Sequence, residues 1–250
     1  MATAIDPLLF SVLAAAIFAV ALLYASVGHG GASGYLAVMA LFGLTPTVMR
    51  PTALILNILV AGIAVIAFAR AGHFRWRLFW PFAVASIPAS YIGGTLTLAP
   101  DFYRPLLGIL LLFSATRLLF RWPPGPEQAT RSAPIAIALL IGVVLGLLSG
   151  LTGVGGGIFL SPLLIFFGWA AIRETAAVSA LFIVANSVAG LLGHLSSVHS
   201  IPSFAPFLVA AAMVGGLVGA SLGSSRLPPK AILRLLAAVL TIAGIKLILL

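Results

Sequence analysis

The sequence has no cysteine and only four acidic residues in 250, and these shortages exclude several kinds of site. Without cysteine, neither a disulfide framework nor a thiolate metal site can form. Carboxylates are the ligands that divalent cations prefer and the usual members of a membrane proton relay. None of the four falls at the centre of an apolar segment, so we expect no metal site and no cofactor. The acidic residues are Asp6, Asp101, Glu127 and Glu174.

Signature motifs of two enzyme classes are also missing. The chain contains neither the GxxxxGK[ST] phosphate loop nor the HExxH zinc motif. Because the phosphate loop is what holds a nucleotide, any transport by this chain would be driven by a gradient instead of by nucleotide hydrolysis. The sequence therefore predicts that the protein is not an enzyme.

Charge is scarce throughout, and apolar residues are abundant. Charged residues make up 7% of the chain, against roughly 25% in ordinary soluble domains. Hydrophobic residues make up 62%, and the mean hydropathy is +1.25. This composition predicts an all-α polytopic membrane protein whose main partner is the lipid bilayer. The net charge of +9 does not indicate a nucleic-acid partner, because the basic residues lie mostly in short loops and at segment ends, as orientation signals do.

The apolar residues form ten segments, five on each side of a Pro-rich stretch. We predict a first transmembrane repeat at 1–120, a cytoplasmic linker at 121–133 and a second transmembrane repeat at 134–250. Landmarks keep their order in both halves, since Gly28 matches Gly153 and Asn57 matches Asn186. In each half the second segment reaches only ~18 Å as a helix, which is too short for a ~30 Å hydrocarbon core. The segments are 8–27, 31–42, 46–69, 78–98, 105–120, 135–151, 156–167, 174–194, 204–222 and 229–249.

The distribution of Lys and Arg indicates how the two halves relate. If the first two segments of each half form a hairpin that returns to its starting side, ten basic residues share one face and three lie on the other. If the pair instead crosses once, the split is seven against six, which is no bias. The positive-inside rule favours the hairpin, which makes both termini periplasmic and inverts the second half relative to the first. The ten are Arg70, Arg75, Arg77, Arg117, Arg121, Arg131, Arg173, Arg226, Lys230 and Arg234, and the three are Arg50, Arg104 and Lys246.

The predicted fold is thus two inverted five-segment repeats, each with a hairpin of one full-length helix and one half-helix, broken at a glycine-rich stretch, plus three further spans. Consecutive glycines should open the backbone, because each disfavours helix by ~1 kcal/mol relative to alanine. A half-helix that begins after such an opening points unpaired amide groups and its positive dipole end at the break, which suits an anion. Close packing of small residues between helices is the alternative. The predicted substrate-binding residues here are Gly28, His29, Gly30, Gly31, Ser33, Gly153, Gly155, Gly156 and Gly157, with Tyr35, Thr152 and Ser161 as further side-chain donors.

Two asparagines complete the candidate site. Asn57 and Asn186 each lie ~15 to 17 Å along their segments, near the bilayer centre. Either one alone would be interpreted as an interhelical hydrogen bond, but the matched pair favours a site. Arg50 is a candidate for attracting or gating the anion, and snorkelling to the interface is its alternative. His29 is also a candidate proton carrier, with a structural packing role as the alternative.

Three stretches resemble a known family. They are Val27 to Gly31 (VGHGG), Gly150 to Leu164 (GLTGVGGGIFLSPLL) and Thr175 to Ser187 (TAAVSALFIVANS). Together with the length and the two-half layout, they are similar to the TauE/SafE sulfite exporters, also called toluene sulfonate uptake permeases. The resemblance implies a bacterial inner-membrane secondary carrier for sulfite, sulfoacetate or other organosulfonates. The first-half motif departs from the second, with His29 and Ala32 where the second half has Val154 and Gly157.

The residues and the resemblance together predict an alternating-access, gradient-driven transporter of a small sulfur-containing oxyanion. The anion would be held near the midplane by the backbone amides of opposed half-helices and by the two asparagine side chains. A passive anion channel and a membrane assembly protein are the alternatives. The exact substrate, the direction of transport, a coupling proton or other ion, and a homodimer are left open.

Overall fold

The computed structural model describes residues 7–26, 30–119, 131–198, 204–223 and 229–249, and within these ranges the chain forms helices joined by turns, without a β-strand. Of the helices in these ranges, α1, α3, α6 and α8 are long and apolar enough to cross a bilayer. The helices are α1 (Pro7–Ser26), α2 (Ala32–Leu41), α3 (Pro46–Arg70), α4 (Trp76–Thr95), α5 (Pro100–Leu119), α6 (Ile135–Thr152), α7 (Gly157–Phe166), α8 (Ile172–Val198), α9 (Ala205–Gly223) and α10 (Pro229–Leu249).

Each predicted segment corresponds to one helix, and most bounds agree closely. The largest difference is at α5, which begins at Pro100 instead of residue 105. Proline is well tolerated in a first helical turn, and the carboxylate of Asp101 is favourable there because it faces the positive end of the helix dipole. Most of the predicted linker lies outside the described residues, as do Gly28 and His29 of the first glycine stretch.

The two short helices are half-helices. Both α2 and α7 have 10 residues, which is about 15 Å or half of the hydrocarbon thickness. The chain after α7 returns to the start of α6, because the N–H of Arg131, just before α6, donates to the carbonyl of Gly168, just after α7, at 3.1 Å. The segments that flank α6 and α7 therefore meet, and the second glycine stretch connects the two helices at their other ends.

Glycines allow two pairs of helices to pack with their backbones in contact. Helix α6 runs parallel to α4 and α9 runs parallel to α1, and successive glycines of one helix lie against successive backbone carbonyls of the other. A Cβ at any of these glycines would collide with the facing carbonyl, so only glycine permits the approach. The contacts are Gly142 with Phe82, Gly146 with Ser86 and Gly150 with Ser90, and then Gly215 with Phe18 and Gly219 with Leu22.

Two other pairs of helices pack in opposite directions. Helix α3 is antiparallel to α8, and α5 is antiparallel to α10. Their central residues are buried, and Asn57 on α3 and Asn186 on α8 have no exposed surface. Both asparagines of the predicted substrate site therefore lie in the protein interior, on the central helices α3 and α8. The contacts that establish direction are Leu54 with Gly190 and Asn57 with Ser187, and Gly108 with Ile248 and Leu112 with Gly244.

Candidate functional site: a cavity at the start of a half-helix

A small cavity lies at the N-terminal end of α2. Its volume is about 10 Å³, which is room for roughly one water molecule. Residues from five helices and from both glycine stretches surround it, so it sits between the two halves of the chain. The lining residues are Tyr24, Gly30, Gly31, Ala32, Ser33, Asn57, Val154, Ile158 and Ile183.

The start of α2 is fixed by Gly31. This residue has a left-handed backbone with φ of 95°, and a Cβ there would come within 2.8 Å of the hydroxyl of Tyr35. Among the described residues no side chain caps the helix, and the amide groups of its first turn have no intrahelical acceptor. These amides and the positive end of the helix dipole meet at the cavity wall formed by Ala32 and Ser33, which gives this wall the character of an anion-binding surface.

Asn57 forms the opposite wall. Its Nδ2 donates to the carbonyl of Val154 at 3.4 Å and to Oγ of Ser187 at 3.5 Å, and both bonds are long. Its Oδ1 has no hydrogen-bond partner among the described residues. This oxygen lies beside Gly30, where a Cβ would approach it to 2.9 Å. Because the Val154 carbonyl can only accept, the amide nitrogen must face it, and the oxygen is left on the Gly30 side.

Two buried hydroxyls add polar groups to the α2 wall. Tyr24 Oη and Ser33 Oγ lie 2.7 Å apart, so one donates to the other and the second hydroxyl proton is left for another acceptor. The hydroxyl of Tyr35, beside Gly31, has no partner among the described residues. Tyr24 was not among the residues predicted from the sequence, although it stands near the end of a mostly apolar helix, just before the first glycine stretch.

The second glycine stretch surrounds Asn57 from the other half. Gly153, Gly155 and Gly156 all have left-handed backbones, with φ of 82°, 81° and 73°, and a Cβ at Gly155 would come within 2.5 Å of Asn57 Nδ2. Gly157 packs against the side chain of Ile183. Its N–H donates to the carbonyl of Gly155 at 2.9 Å, so the first amide of α7 is already partnered. Among the described residues the amides of Phe159 and Leu160 are bonded as well, to the carbonyl of Gly156, so the start of α7 offers fewer open amides to the cavity than the start of α2.

The two asparagines have different surroundings. Asn186 Nδ2 donates to the carbonyl of Phe182 in its own helix at 2.8 Å, and the backbone carbonyl of Asn186 accepts from Ser90 Oγ at 2.7 Å. Its Oδ1, like that of Asn57, has no hydrogen-bond partner among the described residues. Asn186 does not line the cavity. Of the residues predicted from sequence, the structure brings Gly30, Gly31, Ser33 and Asn57 together at the cavity. It places Gly153, Gly155, Gly156 and Gly157 in the adjoining stretch, and Asn186 apart from them.

Arg50 is buried, with 3% of its surface exposed. The interpretation that it snorkels to the interface is therefore wrong. Its guanidinium satisfies carbonyls at the C-terminal ends of two helices, where the helix dipoles are negative and the carbonyls lack intrahelical partners. These ends belong to α4 in one half and α6 in the other. The acceptors are Leu96 at 3.0 Å, Gly93 and Gly94 at 3.1 Å, and Gly150 at 2.8 Å.

A second cation holds the far end of α2. Lys246 Nζ donates to the carbonyls of Ala40 at 3.2 Å and Leu41 at 3.0 Å. A positive charge at a helix C-terminus stabilises the helix dipole. Helix α2 thus has an uncapped start at the cavity and a lysine from α10 at its end.

Neither a metal centre nor a nucleophile site accompanies the cavity. Within the described ranges no three His, Cys, Asp or Glu residues gather into a metal-binding group. Gly219 to Gly223 spell GxSxG in the sequence, but they lie inside helix α9. The hydrolase motif needs a sharp strand-to-helix turn, so these residues do not form one.

Comparisons with known proteins agree with one another. The family model described as sulfite exporter TauE/SafE matches residues 13–247. The chain is 40% identical over 239 residues to the probable membrane transporter protein y4hK of Sinorhizobium fredii, covering 94% of this chain and 97% of that protein. It is 26% identical over 244 residues to the probable membrane transporter protein YjnA of Bacillus subtilis, covering 88% and 92%. No solved structure matches.

Proposed function

The chain belongs to the sulfite exporter TauE/SafE family, and on that premise we propose that it carries small sulfur-containing oxyanions, such as sulfite, sulfoacetate or other organosulfonates, across the bacterial inner membrane. It is a multi-pass membrane transporter and not an enzyme. Transport is driven by a gradient, since the chain has no phosphate loop to hold a nucleotide.

The observation that carries the proposal is the uncapped start of α2 at a buried cavity. A sulfite or sulfonate group has three acceptor oxygens, and the first-turn amides of α2 with the hydroxyl of Ser33 are donors that suit them. Asn57 on the opposite wall fixes the orientation of the anion. Lys246 supports the arrangement because it stabilises α2 from its other end.

Packing directions support alternating access between two inverted repeats. Helix α3 is antiparallel to α8, and α5 is antiparallel to α10, as corresponding helices of inverted repeats should be. The cavity lies between the halves, and it is too small for a three-oxygen anion unless its walls separate. A rocking movement of one half against the other would open it. The excess of basic residues on one face favours periplasmic termini.

The test combines ligand-dependent thermal unfolding of the detergent-purified protein with flux into liposomes. We expect selective stabilisation by a sulfur oxyanion over chloride and sulfate, and saturable uptake with exchange against internal substrate. Asn57→Leu should lose the stabilisation, whereas Asn186→Leu, which changes an equally buried asparagine away from the cavity, serves as the matched control. Flux without saturation or exchange would indicate a channel, and the absence of both stabilisation and flux would refute the proposal.

A further inference from the structure

We propose that the ligand of the α2 cavity presents a hydrogen-bond donor as well as anionic oxygens, so that the monoanion hydrogensulfite, and not the sulfite dianion, is the form that binds. The inference rests on the proposed function, because it specifies the substrate of the same site. It comes from the opposite polarities of the two cavity walls.

The acceptor on the α3 wall is Asn57 Oδ1. It has no exposed surface and no hydrogen-bond partner among the described residues, although buried polar atoms are nearly always paired. The amide group cannot turn over to present its nitrogen instead, because its oxygen would then face the carbonyl oxygen of Val154, which now accepts from Nδ2 at 3.4 Å. A ligand that fills the cavity therefore has to donate a hydrogen bond to this oxygen or leave it unpaired.

The opposite wall supplies donors. In the part of the chain that the structure describes, the first-turn amides of α2 have no capping side chain, and the Tyr24 and Ser33 hydroxyls adjoin them. Hydrogensulfite matches both walls, because it has oxygens for the α2 donors and one proton for Asn57 Oδ1. The dianion has only acceptors and would set an oxygen against Oδ1.

The charge of the lining leads to the same conclusion. The lining residues that the structure describes include no lysine or arginine, and Arg50 and Lys246 are bonded to backbone carbonyls elsewhere. A helix N-terminus provides the equivalent of about half a positive charge. Burying a second negative charge without a cation is strongly unfavourable, so the site suits a monoanion.

Two probes separate the donor requirement from charge and shape. Sulfamate, H₂N–SO₃⁻, and methanesulfonate, H₃C–SO₃⁻, carry the same charge and have nearly the same shape, but only sulfamate can donate. In thermal-shift titrations of the purified wild-type protein we expect sulfamate to bind about fivefold more tightly or better, which is the size of one buried hydrogen bond. The preference should fall to near unity in Asn57→Leu and persist in Asn186→Leu.

Sulfite itself provides a second measurement. At constant total sulfite, apparent affinity should fall as the pH rises through the ionisation of hydrogensulfite near neutrality, while methanesulfonate affinity stays level as the control. Equal binding of sulfamate and methanesulfonate, or sulfite binding that strengthens with pH, would overturn the inference and leave the proposed function standing. A sulfamate preference that persists in Asn57→Leu would overturn the role of Asn57. If no sulfur oxyanion binds at all, the proposed function fails and the inference fails with it. The wild-type comparison needs no variant, so it decides even if Asn57→Leu does not fold.

Discussion

Replacing Gly155 with alanine should disrupt substrate binding more than folding. Gly155 has φ of 81°, and an L-residue in this left-handed region costs roughly 1 to 2 kcal/mol. In addition, the new Cβ would lie 2.5 Å from Asn57 Nδ2, whereas carbon contacts are comfortable at about 3.5 Å or more. The Asn57 side chain must therefore move by about 1 Å, and its bond to Val154, already 3.4 Å long, is expected to break. We expect affinity for the substrate to fall by about tenfold or more.

Gly72→Ala is the matched control for this prediction. Gly72 has nearly the same backbone, with φ of 75°, but nothing lies within 4 Å of a Cβ built there. Both variants should therefore lose a similar 1 to 2 kcal/mol of stability from the backbone alone. Thermal unfolding without ligand measures this shared loss, and titration of sulfite into each folded variant measures affinity. If Gly155→Ala binds sulfite as tightly as Gly72→Ala, the argument that Asn57 depends on its glycine neighbour is refuted.

Three further predictions concern the charged and amide side chains around the helices. Arg50→Lys should lower the free energy of unfolding by about 2 kcal/mol, because one ammonium cannot keep both the Nη1 bond to Leu96 and the Nη2 bonds to the glycine carbonyls of α4 and α6. Denaturation in detergent measures this, and a large loss of affinity with unchanged stability would assign Arg50 to anion attraction instead. Lys246→Met should weaken sulfite binding about two- to fivefold by removing a charge worth ~0.3 to 1 kcal/mol at the end of α2. Lys246→Arg should restore it in the same titration, and failure to do so would separate Lys246 from the site. Asn186→Leu should keep sulfite affinity within about twofold of wild type, since removing a single hydrogen bond within its own helix is a modest change, and a loss as large as that of Asn57→Leu would contradict the cavity described here.

The bounds of the helices could be predicted from the sequence, because prolines, glycines and the lengths of the apolar runs determine where a helix begins and ends. The predicted segments beginning at Pro46 and Pro229 correspond to α3 and α10, which begin at those prolines. Counting residues also placed both asparagines near the middle of their helices. Counting cannot give the direction in which a side chain points, because rotation about the helix axis is set by neighbours far away in sequence. For this reason the sequence did not predict that Asn57 would face the cavity while Asn186 would bond to its own helix.

Contacts between residues far apart in sequence also could not be predicted. Arg50 has no local signal that it will meet Gly150, a hundred residues later. The glycines on α6 are different, since their spacing at Gly142, Gly146 and Gly150 is visible in the sequence and is typical of close helix packing. That spacing could have predicted a backbone contact, although not that α4 would be the partner.

The pairing of α4 with α6 also constrains how the protein can be made. Helix α4 leaves the ribosome before any part of α6 exists, so the surface that later receives the three glycines first faces lipid or the insertion machinery. Lipid tails cannot reproduce the backbone contact that glycine allows, and the nascent chain therefore remains incompletely packed at that stage. A product cut short before residue 135 would lack the three glycines that cover this surface of α4. Helix α1 remains without its partner for longer, because α1 ends at Ser26 and α9 begins only at Ala205.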